Sequence, residues 1–253
     1  MEPWQLVAIM MSLALASYIQ TLTGFAFGLI VMGLLATLDV LPIESAALLC
    51  TLLGLFNNGM AMRGHWREIN PRLARRLLVT SLPMLPVGYF LAVWLGSERA
   101  PLLGMLLGIV ILIACLALLA QPGPRATTSP RWHFHTAGVL SGLMGGLFAA
   151  NGPPLVVVLY RQPMTLIAIR CTLFGVFIVT GIVRMGLSIA APGRIGDTLP
   201  QLLLVGLSGA LVVMLFTELA RRFPPPLSDN RLRQVAYAIL LVSSVNLIIK
   251  GLI

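Results

Sequence analysis

The sequence predicts an all-α polytopic membrane protein of about eight membrane segments in two inverted repeats, with the first helix of each half broken or re-entrant. Three observations predict it. First, 58% of the 253 residues are hydrophobic and 10% are charged, with a mean hydropathy of +0.96, whereas soluble domains carry roughly 25% charged residues. No room is left for a soluble domain. Second, residues 3–38, 77–97, 100–124, 132–160, 198–217 and 234–249 contain no Asp, Glu, Lys or Arg, and most of these runs reach the about 20 residues that cross a core of about 30 Å. Third, the chain repeats itself.

The repeat has an offset of 121 residues and needs no gap. Cys50-Thr51-Leu52-Leu53-Gly54-Leu55-Phe56 meets Cys171-Thr172-Leu173-Phe174-Gly175-Val176-Phe177, and Gly24, Phe27, Pro42 and Arg63 meet Gly145, Phe148, Pro163 and Arg184. Between Leu22 and Arg63 there are thirteen identities in forty-two positions, against roughly four expected by chance in a Leu-rich chain. Shared membrane composition supplies Leu, not matched Cys, Pro and Arg. The halves are 1–121 and 122–253, joined by the Pro- and Gly-containing stretch from Gln121 to Pro130.

Taken in order, residues 3–38 would form a straight helix of about 54 Å at 1.5 Å per residue, too long for one ordinary crossing. Thr23-Gly24-Phe25-Ala26-Phe27-Gly28 marks the break. The second segment ends with Asn57 and Asn58, one turn before Arg63 and a basic loop holding Arg67, Arg72, Arg75 and Arg76. Residues 77–97 and 100–124 supply the next two segments. The run 132–160 would span about 44 Å, and it too is interrupted, by Gly145-Gly146 and by Asn151-Gly152-Pro153-Pro154, where proline removes amide donors. Arg184 stands well inside the sixth segment, followed by Pro192-Gly193 and the segments at 198–217 and 234–249.

Charge orients these segments. If both long runs fold back to their own side, thirteen loop arginines lie inside and two, Arg99 and Arg194, outside. Glu2, Asp39, Glu44, Glu98 and Asp197 then also lie outside. The first half begins outside and the second inside, so the repeats are inverted. The net charge of +9, from sixteen Arg and one Lys against eight acids, is accounted for by this topology, and no nucleic-acid partner is expected. Cys50, Cys115 and Cys171 lie in apolar segments with no CxxC pair, so neither a disulfide framework nor a metal site is indicated.

Inverted repeats with discontinuous helices are a recurrent architecture of secondary transporters, with the site near the midplane. A half-helix starting there presents free amides and a partial positive charge, which suits an anion. The candidate binding residues are Thr23, Gly24, Phe25, Phe27 and Gly28 at the first break. At the second they are Gly145, Gly146, Asn151, Gly152 and Pro153, joined by Asn57, Asn58 and Arg184. Each has a plainer alternative: glycines permit close helix packing, the Asn side chains bond neighbouring helices, and Arg184 snorkels to the outer interface. Gln20 and Ser141 are weaker candidates, His133 and His135 fit the cytoplasmic interface, and Arg63 fits a topological anchor. No Asp or Glu falls mid-span and no GxxxxGK[ST] or HExxH occurs. A carboxylate proton relay, ATP-driven transport by this chain alone and zinc proteolysis are therefore not expected, nor is any cofactor. A coupling ion, H⁺ or Na⁺, stays open, as do two rivals: a passive anion channel, and an assembly or scaffold protein without a substrate.

Gln20-Thr21-Leu22-Thr23-Gly24-Phe25-Ala26-Phe27-Gly28 resembles the opening motif of the sulfite exporter TauE/SafE family, the 4-toluene sulfonate uptake permeases. Gly138 to Pro154, with Ser141-Gly142-Leu143-Met144-Gly145-Gly146-Leu147-Phe148 and Asn151-Gly152-Pro153-Pro154, is similar to the matching motif of its second half. The resemblance covers essentially the whole chain, although Asn-Gly stands where members often have Gly before the double proline, and one Gly pair where they often have a triplet. It implies a multi-pass protein of the bacterial inner membrane that carries sulfite, sulfonates or related carboxylates. It implies neither a direction nor a particular anion.

Overall fold

The structure is a computed structural model that describes residues 2–120, 123, 126–190, 199–224 and 229–252. Part of the expected linker at 121–130, and Pro192-Gly193, Arg194 and Asp197, lie outside the described residues. Among those described there are ten α-helices, a 3-10 turn at Trp66–Glu68 and no strand. The helices are α1 (Pro3–Thr23), α2 (Phe27–Thr37), α3 (Ile43–Ala61), α4 (Pro71–Glu98), α5 (Ala100–Leu119), α6 (Arg131–Phe148), α7 (Gly152–Leu159), α8 (Leu166–Ala190), α9 (Leu199–Arg222) and α10 (Asp229–Leu252). They follow the eight apolar segments, the first and fifth each being split in two. Among the described residues, five stretches are long and apolar enough to cross a membrane: α1, α4, α5, α8 and residues 204–222 of α9.

Both splits have a backbone cause. Gly24 closes α1 with a left-handed φ of 80°, its amide bonded to the Gln20 carbonyl at 2.7 Å, and Ala26 at φ 88° opens α2. Ala149 closes α6 at φ 53°, and Asn151 opens α7, whose second and third residues are prolines. A left-handed alanine costs about 1–2 kcal/mol, so packing elsewhere must hold both breaks. With 11 and 8 residues, α2 and α7 span only about 16 and 12 Å at 1.5 Å per residue, little more than half of a bilayer core of about 30 Å for α2 and less than half for α7. The caps Gly24 and Ala149 are 125 residues apart, four more than the repeat offset. Gly145, the repeat mate of Gly24, accordingly lies one turn inside α6 instead of ending it.

Small residues let the helices close up. Gly138, Gly142 and Gly146 recur every four residues along α6, and a Cβ on any of them would strike α4, at Thr80, the Ser81 carbonyl and the Leu85 carbonyl respectively. Gly88 of α4 returns the contact against the Leu143 carbonyl. This is the small-residue packing that membrane helices use in place of a hydrophobic drive. The outward faces are apolar, as in the exposed row Leu204, Leu207, Leu211 and Leu215 of α9.

Charged residues separate to the two ends. At one end the Tyr18 hydroxyl donates to the Phe223 carbonyl and Arg221 to the Arg63 carbonyl. At the other, Lys250 at the end of α10 donates to the Thr37 carbonyl and pairs with Asp39, while Glu44 packs on Gly96. Thus α1 runs toward the arginine-rich end and α2 returns from it. The α6–α7 segment opens and closes at the arginine-rich end, where Gln162 accepts from the Ser129 amide and donates to the Ser129 hydroxyl.

Gly142→Ala is expected to lower the thermal unfolding midpoint of the detergent-solubilised protein, the clash with α4 costing about 1–3 kcal/mol. Gly59→Ala, where an added Cβ meets nothing within 4 Å, serves as the control and should leave the midpoint unchanged or raise it.

Candidate functional site

The two breaks touch. A Cβ on Gly28, in the first turn of α2, would stand 2.5 Å from the Ala149 carbonyl oxygen at the second break. Beside this contact lies a cavity of about 50 Å³, walled by Ala26 to Leu29, by Ala149 to Gly152 and by residues of α3 and α8. One water needs about 10–15 Å³ of such space, so the cavity has room for a few waters or one small oxyanion group.

Arg184 dominates its wall. The side chain is 5% exposed, yet among the described residues no carboxylate pairs with it. Its Nε donates to the Gly145 carbonyl at 2.9 Å and Nη2 to the Gly146 carbonyl at 3.3 Å, both in the last turn of α6. Nη1 donates to the Ala47 carbonyl at 3.2 Å and the Thr51 hydroxyl at 3.0 Å on α3. The guanidinium therefore caps α6, whose C-terminal carbonyls carry the negative end of the helix dipole, and it lies 5.7 Å from the Tyr89 ring centroid. Four of its five N–H groups are engaged, leaving one on Nη2. Burial, not snorkelling, is the outcome for this residue.

The half-helix starts contribute unequally. At α2 the Phe27 amide is occupied by Gln20 Oε1 at 2.8 Å. Gly28 and Leu29, whose amides stand at N-terminal positions with no intrahelical partner, line the cavity. At α7 the prolines at 153 and 154 carry no N–H, so this end offers the Gly152 amide and the dipole of a short helix. Asn151 is held from both sides: its carbonyl accepts from Ser141 at 2.9 Å and its Nδ2 donates to Thr180 Oγ1 at 2.7 Å.

Of the residues singled out from sequence, the cavity brings together Gln20, Phe27, Gly28, Asn58, Gly145, Asn151, Gly152 and Arg184. The others stand behind its wall. Thr23 bonds the Ile19 and Phe25 carbonyls, and Phe25 is buried against Tyr237. Gly24 packs on Arg170, and Gly146 on α4. Pro153 supports α7 without lining the cavity, and Asn57 points to Thr217 at 2.7 Å between α3 and α9. Thr51, Thr180 and the Ala149-Ala150 pair line the cavity and were not anticipated. A signal existed for Thr51, which belongs to the repeated Cys-Thr-Leu heptad. Among the described residues no group of three His, Cys, Asp or Glu is placed to hold a metal ion, and the three cysteines are buried and free.

Discontinuous helices that meet at a small cavity carrying a buried arginine, inside an apolar, all-helical shell, are the arrangement of a membrane transporter. The chain belongs to the sulfite exporter TauE/SafE family, whose family model matches residues 9–247. It is 38% identical over 229 residues to the probable sulfite/organosulfonate exporter TauE of Cupriavidus necator, covering 90% of this chain and 88% of that one. To the probable inner membrane transporter protein TsaS of Comamonas testosteroni it is 29% identical over 174 residues, 67% of this chain and 70% of the other. No solved structure matches it. As in its relatives, the work is transport and not catalysis.

Arg184→Leu would remove the four hydrogen bonds that tie α8 to α3 and α6 and leave the Gly146 carbonyl without its side-chain donor inside the membrane, at a cost of about 3 kcal/mol or more. Arg184→Lys keeps the charge but cannot span α3 and α6 as the planar fork does. Thermal unfolding in detergent should rank wild type above Arg184→Lys and Arg184→Lys above Arg184→Leu.

Proposed function

We propose that the protein is a secondary transporter of the inner membrane that carries a small sulfur oxyanion, sulfite or an organosulfonate, by alternating access between two inverted halves. The observation that carries this reading is the buried Arg184 guanidinium, without an acidic partner among the described residues, on a cavity wall shared by both half-helix starts. Taking a cation out of water costs several kcal/mol. The α6 carbonyls offset part of that cost, and an anion in the cavity completes the neutralisation. Its oxygens would be met by the remaining Arg184 N–H, the Gly28 and Leu29 amides, and the Gly152 amide, with Thr180 and Asn151 shaping the far wall. The names of the relatives, one a sulfite/organosulfonate exporter, favour sulfur oxyanions over other anions of similar size.

The inverted arrangement draws support from the opposite fold-back of the two broken segments. The first opens and closes at the end holding Asp39 and Glu44, the second at the end holding Arg63 and Arg221. With the arginine-rich end in the cytoplasm, an anion leaving the cell moves down the membrane potential by about 2.3 kcal/mol per charge per 100 mV. Export therefore needs no coupling ion, which agrees with spans that lack a carboxylate relay.

In proteoliposomes, sulfite flux by the wild type should saturate and show counterflow of labelled substrate. Asn151→Leu, which loses the bond to Thr180, should reduce that flux at least about tenfold with folded yield retained; wild-type flux in this variant would remove the second break from the site. Topology is checked separately. The native cysteines are buried, so an impermeant maleimide applied outside intact cells should label Ser97→Cys, in the α4–α5 corner, and leave Gly64→Cys, in the basic loop, untouched.

A further inference from the structure

The last turn of α1 reaches across its own break into the cavity. Gln20 is 3% exposed and lines the cavity. Its Oε1 accepts from the Phe27 amide, the first of α2, at 2.8 Å, and its Nε2 donates to Asn58 Oδ1 at 2.6 Å. The Phe27 amide is one of the donors a half-helix start would turn toward an anion. Here a neutral side-chain oxygen on the same chain already holds it.

We propose, resting on the anion-transport reading above, that Gln20 is a tethered competitor for the substrate. In the empty state its carboxamide oxygen stands in for a substrate oxygen at the start of α2. When an oxyanion arrives, Gln20 leaves the Phe27 amide, and the substrate takes that donor together with the amides of Gly28 and Leu29. The exchange solves a problem that a buried site poses. An amide at the head of α2 with neither water nor ligand would be an unsatisfied donor inside a membrane, and Gln20 satisfies it between turnovers. A neutral acceptor bonds more weakly than an oxyanion does, so the competitor yields to substrate and also helps to expel it when the site reopens. Asn58 makes the exchange reversible. Its Oδ1 keeps Nε2 anchored, and its position on the cavity wall gives the released carboxamide a partner on α3.

A purely structural glutamine and a competitor make opposite demands on affinity. In Gln20→Ala the lost hydrogen bonds lower the thermal midpoint, but the Phe27 amide is free, and the Kd for sulfite and methanesulfonate, titrated calorimetrically against the purified protein, should fall about three- to tenfold. In the near-isosteric Gln20→Glu a charged oxygen occupies the Phe27 amide permanently, and the Asn58 carboxamide turns its Nδ2 to donate to the second carboxylate oxygen. The midpoint should hold or rise, and sulfite binding should weaken at least about tenfold. Should Gln20→Ala fail to fold, the glutamate variant decides alone. Weaker binding in Gln20→Ala, or unchanged binding in a folded Gln20→Glu, overturns the competitor role and leaves the transport reading standing. Failure of the wild type itself to bind either anion overturns both.

Discussion

A helix that stops inside a bilayer strands amides and carbonyls where no water can reach them, and this fold depends on how two such stops are satisfied. The harder one is the end of α6, which reaches the cavity wall at Gly145. Arg184 answers it from α8, with Nε and Nη2 on Gly145 and Gly146 and Nη1 on α3. One side chain thereby ties three helices together and brings a positive charge to the place where the two broken segments meet. On the proposed reading the structural and functional accounts of Arg184 coincide: the charge is tolerated because α6 ends there, and the cavity beside it is where an anion would meet it.

The second constraint is close approach. Neither left-handed alanine, Ala26 or Ala149, would persist without packing to hold it. Gly28 supplies part of that packing by letting α2 come down on the Ala149 carbonyl, so each break braces the other. The glycine row of α6 supplies the rest, holding α6 along α4 up to Gly146, where the Arg184 bonds begin. A methyl group at Gly142 would therefore act at a distance, by tilting the very helix end that Arg184 caps.

Much of the architecture was legible in the sequence because lipid imposes strict rules. A run of 36 charge-free residues is too long for one crossing, and Gly24 and Asn151-Gly152-Pro153-Pro154 are poor helix interiors, so both breaks could be placed within a few residues. What stayed hidden depended on direction. Asn57 and Asn58 are neighbours, and adjacent helical residues do not share a face; periodicity alone did not say that Asn58 meets the cavity while Asn57 meets Thr217. Spacing likewise left Arg184 open between the interface and the interior. Its burial is decided by carbonyls from a helix end some forty residues away, which only the fold brings near. The alanines at positive φ carry no sequence mark at all, since alanine is an ordinary helix former.

The most informative departure is the four-residue lag between the breaks. Had the halves remained identical in form, Gly145 would end α6 as Gly24 ends α1, and Arg63 would mirror Arg184. Instead α6 runs one turn further, and its extra turn contains the carbonyls that Arg184 grips. Arg63, with no such turn to cap, stays exposed at the arginine-rich end, its carbonyl accepting from Arg221. Arg63 and Arg184 stand at matching positions of the 121-residue offset, and one is buried at a helix end while the other stays exposed. The two breaks are also unequal at the cavity: the first brings two N-terminal residues of α2 and the Gln20 acceptor, whereas the second, with two prolines at its head, brings Asn151 and Gly152, and the charge comes from Arg184 on α8. On the proposed reading, an anion would meet unequal surfaces from the two halves, while the direction of its net flux would be set by its electrochemical gradient and not by that asymmetry.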